Sequence, residues 1–212
     1  MTRSEELYSA ILEGDAKRAH AATEAAIAAG VEPMDLIAGS MVPAMDAVGR
    51  LFEAEEYFVP ELLLTGRAMR SALELLRPLM AAAGEKLATR VVIGTVKGDL
   101  HDIGKNIVGS MLEGSGFEVI DLGTDVSPDK FVAAFRQQKP QVVCMSALLT
   151  VTMPAMKTTI DALTAAGLRT QVKVLVGGAP LTMYYAKEIG ADGYSENASG
   201  AVGLVRSLHP HA

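Results

Sequence analysis

Residues Lys97-Gly98-Asp99-Leu100-His101-Asp102-Ile103-Gly104-Lys105-Asn106 set an imidazole between two carboxylates, with a glycine on either side. The stretch follows the apolar run RVVIGTV, which reads as a strand, and leads into a run that reads as a helix. An imidazole that ligates a metal through one nitrogen generally donates its other N–H to a carboxylate, which fixes the tautomer and raises the basicity of the ligating atom. Asp99, two positions before His101, is placed to be that acceptor, and Asp102 reads as the cap of the following helix. Other chemistries fit less well. A phosphate loop needs GxxxxGK followed by Ser or Thr, whereas five residues separate Gly98 from Gly104 and Asn106 follows Lys105. A GxGxxG dinucleotide turn is missing, and the pair Gly177-Gly178 does not replace it. Zinc takes three or four protein ligands, and neither thiolates nor a second histidine accompany His101. A lone imidazole suits a metal whose other positions a macrocycle already fills. The plain alternative is a solvated loop histidine.

Two kinds of element must position this loop. Up to about Gly84 the texture is helical. Asp15 can cap AKRAHAATEAAIAA and Gly30 closes it; Pro33 suits the first turn of the next helix, and Pro43 should restart or kink it. Met45, Val48 and Phe52 then recur at spacings of three and four, and after Pro60 the residues Leu62, Met69, Leu73, Leu76 and Met80 keep the same rhythm. Four helices with short connections make a compact bundle, and a core role explains most of this stripe. From Arg90 onward, five short β-rich runs alternate with helical segments, which predicts a doubly wound parallel sheet covered on both faces. In the strand order 2-1-3-4-5 the switch point lies beyond the first and third strands. There the stretch GDLHDIG meets the hydroxyl-rich loop Ser146–Thr152, and the fourth strand adds Gly177-Gly178-Ala179-Pro180. The small, polar segment AAAGEKLAT reads as a linker. Boundaries of 1–86 for a helical cap and 87–212 for the sheet domain follow.

Bulk properties exclude several classes. The formal charge of −6, spread without a basic block, argues against a nucleic-acid surface. The longest uncharged run, Pro140 to Met156, contains polar residues and falls short of the ~18 apolar residues of a membrane span. The N-terminus MTRSEELYS lacks the apolar segment of a secretory signal. The single cysteine, Cys144, lies in an apolar strand-like run and reads as a buried side chain in a reducing, cytoplasmic setting. His20, His209 and His211 read as surface residues.

The pattern Asp99-x-His101-x-x-Gly104, then Ser146-x-Leu148, then Gly177-Gly178, resembles the cobalamin-binding signature of corrinoid proteins. The stretch MVPAMDAVGRLFEAEEYFVPELLL resembles the helical cap of the methyl-transferring members, so that cap and binding domain account for essentially the whole chain. The chain is most similar to the stand-alone corrinoid proteins of methanol-, methylamine-, betaine- and methoxyarene-type methyltransferase systems and to the cobalamin module of methionine synthase. The resemblance implies a flavodoxin-like domain behind a four-helix cap. It implies that His101 ligates cobalt from below in place of the cofactor's dimethylbenzimidazole, that Asp99 hydrogen-bonds His101, and that Thr152, at a position that can also carry Ser, completes a catalytic proton relay. Gly98, Leu100, Asp102, Ile103 and Gly104 would contact the cofactor beside them. Its nucleotide tail would pass Ser146, Leu148 and Thr150, with Gly177 and Gly178 giving room and Ala198 in the last contacting loop. In the cap, Met45, Val48, Leu51 and Phe52 would shield the upper face.

The cofactor implied is cobalamin, as methylcobalamin, cob(I)alamin or a related corrinoid. The activity implied is carriage of a methyl group on cobalt from a substrate-specific methyltransferase to an acceptor methyltransferase serving tetrahydrofolate or a thiol, with a reductive activator protein as third partner. Protection at rest and access in turnover require the cap to move as a rigid unit about a hinge near Gly84 to Thr89. Two other functions share the signature. A mutase subunit would lack the helical cap, and a cobalamin-sensing regulator would need a basic DNA-reading domain ahead of it.

Overall fold

The computed structural model describes residues 4–83 and 88–208. Residues 84–87, most of the expected hinge, lie outside the described residues, as do His209 and His211. The chain divides into two compact units: Met1–Ala88 with Ser110–Phe117, and Thr89–Gly109 with Glu118–Ala212. The first is therefore not the continuous 1–86 segment alone.

In the first unit, α1 (Glu5–Leu12) starts at Ser4, whose hydroxyl accepts the Leu7 N–H. This helix lies ahead of the four expected from the sequence. Helix α2 (Ala16–Ala28) is capped by Asp15, whose carboxylate accepts from the Lys17 and Arg18 amides, and it ends ahead of Gly30 at φ +78°. Helix α3 (Pro33–Leu36) runs through a five-residue π-helical stretch, Ile37–Met41, into α4 (Val42–Glu53). Pro43 was expected to restart or kink the helix. Instead the wide turn, closed by Val42 N–H donating to Ile37 O, carries the helix past a residue that has no N–H to give. Helix α5 (Val59–Ala82) contributes Leu62, Met69, Leu73, Leu76 and Met80, all buried.

From Ala88 onward the order is β1 (Ala88–Thr95), α6 (Ile103–Gly114), β2 (Phe117–Asp121), α7 (Pro128–Gln138), β3 (Val142–Ser146), α8 (Pro154–Ala165), β4 (Lys173–Gly177), α9 (Met183–Glu188), β5 (Gly193–Ser195) and α10 (Ala198–Leu208), all in the second unit except Ala88, the end of α6 from Ser110, and Phe117. Strand order is β2-β1-β3-β4-β5, and β1–β3, β3–β4 and β4–β5 pair in parallel. Strand β3 is buried through Val142, Val143, Cys144 and Met145, as a strand covered on both faces must be. Its α7/α8 side packs Val92, Val143, Met145 and Val174 with Phe131, Phe135, Met156, Ile160 and Leu163. Register aligns Thr95, Ser146, Gly177 and Ser195 in one row across β1, β3, β4 and β5, where the sheet ends. This row of small and hydroxyl side chains is the floor beneath the three loops that the sequence singled out. No described helix is long and apolar enough to cross a membrane.

Candidate functional site

Strand β1 ends at Thr95 and the chain turns at Gly98, whose φ of +83° suits a residue without a Cβ. The turn carries the Asp99 carboxylate inward, where the residue is fully buried, and leaves the His101 side chain half exposed. Asp99 Oδ1 accepts from the His101 N–H at 3.0 Å and lies 2.7 Å from His101 Nδ1. Asp99 Oδ2 accepts from the amides of Leu148 (2.8 Å) and Leu149 (3.3 Å) and from Thr152 Oγ1 (2.7 Å). Burial by itself would raise the Asp99 carboxyl. The bonds from Thr152, the His101 and Leu148 amides and the His101 ring outweigh it and hold the group well below the usual carboxylate range.

An ionised carboxylate only accepts. His101 Nδ1 therefore carries the proton, and the lone pair of Nε2 is left for a ligand. Thr152, buried in the loop after β3, has one hydroxyl proton and two acceptors within reach, Asp99 Oδ2 and Leu149 O, the latter at 2.8 Å. The loops after β1 and β3 thus bring together the three residues expected to form the relay. Among the described residues no group of three or more His, Cys, Asp or Glu is arranged to hold a metal ion. One imidazole nitrogen is the donor set, which fits a metal that arrives with its own equatorial ligands.

The other expected site residues sit around this triad. Leu100, Ile103 and Leu148 are exposed, and Leu149 and Val151, outside the expected set, extend the apolar rim. Asp102 lies just before α6; its carbonyl accepts the Asn106 N–H at 2.8 Å, and its carboxylate accepts from the Asn106 side-chain amide at 3.1 Å. Gly104 faces open space. Ser146 and Gly177 belong to the floor row, and Thr150 is exposed. Gly178 adopts φ +138°, and a Cβ there would fall 1.9 Å from Ala147 O, so the β3 and β4 loops meet only through glycine. Ala198 is buried at the start of α10; beside it Ser195 Oγ donates to Asn197 O, and Asn197 Oδ1 accepts the Gly200 N–H. In the helical unit Met45 and Val48 are buried, with the Met45 thioether against Gly114, and Leu51 and Phe52 are half-buried. Burial pushes the Cys144 thiol up to about 12, which suits a packing residue and not a nucleophile.

Three neighbours were missed. Thr95 Oγ1 donates to His101 O at 2.9 Å. Asp125 accepts the Gly98 N–H at 2.8 Å. Lys105, buried, donates to Asn106 Oδ1 and to Asp121 Oδ2, tying the start of α6 to the end of β2. Only Lys105 lay in the motif; Thr95 reads as an ordinary strand residue, and Asp125 is 27 positions from Gly98.

Comparison with known proteins places the chain in a family. Two families, each described as a B12 binding domain, match residues 3–77 and 89–203. A trimethylamine corrinoid protein of Methanosarcina acetivorans is 42% identical over 94% of this chain and 93% of its own. A crystal structure of a cobalamin-binding protein from Desulfitobacterium hafniense, 33% identical, superposes with a TM-score of 0.81 over 98% of this chain and 99% of its own. The methanol:cobalamin methyltransferase complex of Methanosarcina barkeri, 31% identical, gives 0.85 over 98% of this chain and 79% of that one. With both halves matched and the Thr152–Asp99–His101 geometry in place, the chain belongs to the B12-binding corrinoid protein family.

Proposed function

We propose that this protein carries a methyl group on its bound corrinoid from a substrate-specific methyltransferase to an acceptor methyltransferase that passes it to tetrahydrofolate or a thiol, with a reductive activator maintaining the carrier. The observation that carries this reading is the 2.7 Å contact between His101 Nδ1 and a buried, ionised Asp99, which leaves the Nε2 lone pair to hold a metal. When bound, the corrinoid would supply a cobalt centre that accepts and releases methyl groups.

The chain's own residues do the rest. With its Nδ1–H donated to Asp99, His101 would present the Nε2 lone pair to the cofactor's metal. Thr152 can turn its proton from Asp99 Oδ2 to Leu149 O, which adjusts how strongly Asp99 pulls on the ring. Leu100, Ile103 and Leu148 offer an apolar rim for the macrocycle, and Ser146, Thr150, Gly177, Gly178 and Ala198 offer the passage for its nucleotide tail.

Turnover on this reading runs through partner enzymes that supply and remove the methyl group. The methanol:cobalamin methyltransferase complex among its relatives supports a methyltransferase partner, and the trimethylamine corrinoid relative supports a methylated amine as donor. The test is to load the protein and His101→Ala with cobalamin and record visible spectra. The wild type is expected to displace dimethylbenzimidazole and the variant to lack an imidazole-ligated spectrum. A wild type that keeps benzimidazole on cobalt contradicts the reading. After the bound cofactor has been reduced to cob(I)alamin with a low-potential chemical reductant, added trimethylamine and its methyltransferase should methylate the wild-type cofactor and release dimethylamine.

A further inference from the structure

The loop that carries Asp99 and His101 is gripped from outside the motif. Between β2 and α7, Asp125 takes the Gly98 N–H on Oδ1 at 2.8 Å and the Lys97 ammonium on Oδ2 at 2.9 Å, while its own N–H donates to Asp99 O at 2.9 Å. These bonds hold its carboxyl below the usual range, the Gly98 amide contributing most. Asp125 adopts φ +53°, a left-handed conformation that Asp tolerates better than most residues, opposite Gly98 at +83°. The grip continues into the strand. Thr95 takes Gly123 O through its N–H, gives its carbonyl to the Val126 N–H, and donates its hydroxyl to His101 O. Every main-chain group from Gly98 to His101 that these bonds involve is tied to the β2–α7 loop or to β1.

We infer that Asp125 is a positioning residue for His101, acting through its hydrogen bond to Gly98 to hold the Gly98–Asp99 turn at the height that aims Nε2 at cobalt. The inference rests on the reading of His101 as the axial ligand. Partners behind a metal-ligating His typically account for 10–100-fold in affinity, and an exposed carboxylate that merely solvates a loop has no such effect.

Two replacements separate the contributions. Asp125→Asn keeps an acceptor for Gly98 and tolerates the left-handed backbone; Asp125→Gly keeps the backbone and removes the acceptor. In apoprotein, ring-nitrogen NMR is expected to show His101 fixed as the Nδ1–H tautomer in wild type and Asp125→Asn, and averaging between tautomers in Asp125→Gly. With cobalamin, Asp125→Gly is expected to show roughly 10-fold or greater loss of imidazole-ligated species against dimethylbenzimidazole-ligated species, and Asp125→Asn to stay within about twofold of wild type. An Asp125→Gly protein with wild-type ring NMR and spectrum, or an Asp125→Asn protein as impaired as Asp125→Gly, overturns the inference. A wild type that itself keeps benzimidazole on cobalt overturns the axial-ligand reading instead. If Asp125→Gly does not fold, amide exchange in wild-type apoprotein decides: a protected Gly98 N–H supports the grip, and exchange at the open-loop rate overturns it.

Discussion

Asp99→Asn replaces one oxygen with an NH2 and leaves shape and volume almost unchanged, so its effect isolates the hydrogen-bond logic. Wild-type Oδ2 accepts from two amides and a hydroxyl, and Oδ1 from the His101 N–H and ring. The asparagine oxygen can serve only one side. Facing His101, it would set its NH2 against the Leu148 and Leu149 amides and orphan both, at about 1–3 kcal/mol each. Facing the β3 loop, it orphans only the His101 N–H, which is partly exposed and costs about 1 kcal/mol. The second arrangement wins, and the NH2 then points at Nδ1. The ring must answer by accepting there and protonating Nε2, which removes the ligating lone pair. The expected outcome is a protein destabilised by about 1 kcal/mol that has lost imidazole ligation, read by ring-nitrogen NMR of the apoprotein, chemical unfolding and the spectrum after cobalamin loading. An Asp99→Asn protein that keeps the Nδ1–H tautomer and an imidazole-ligated spectrum would refute the reasoning.

Further expectations follow from the same contacts. Thr152→Val removes the donor to a buried carboxylate and should cost about 1.5–3 kcal/mol in unfolding free energy, whereas Thr152→Ser should stay near wild type. Gly178→Ala places a Cβ 1.9 Å from Ala147 O at a φ of +138°, so the β4 loop must shift; a loss of about 1–3 kcal/mol or more is expected in thermal unfolding, with weaker cofactor retention. Because folding depresses the Asp99 carboxyl, its contribution is complete above the unfolded value near pH ~3.9 and is lost as pH falls below that toward the folded value. Wild-type stability should therefore fall more steeply than that of Asp99→Asn on acidification below about pH 4 in urea titrations.

The alternation of β-rich and helical runs was enough to read the doubly wound sheet, and its expected strand order was enough to bring the Asp99–His101 loop beside the hydroxyl-rich loop after the third strand, in which only the family resemblance singled out Thr152. Those features are local, or follow from a strand order that parallel folds favour. What escaped depends on contacts distant in sequence. The row Thr95–Ser146–Gly177–Ser195 is set by strand register, which packing fixes and composition does not show. Asp125 reads as one more polar loop residue until β2 is laid beside β1. Pro43 announces a disturbance, but whether a helix breaks or widens depends on what its flanks pack against. Helix α1 did carry a signal, Ser4 ahead of Glu5-Glu6 with Leu7, Ala10 and Ile11 buried on one face, in a stretch too short to stand out.

The most direct measurement of the central claim is electron paramagnetic resonance of the cob(II)alamin-loaded protein, prepared with nitrogen-15 histidine and unlabelled cofactor. Doublet splitting from a nitrogen-15 axial ligand, lost in His101→Ala, is the expected result. Triplet splitting from the cofactor's own nitrogen-14 base in the wild type would contradict it.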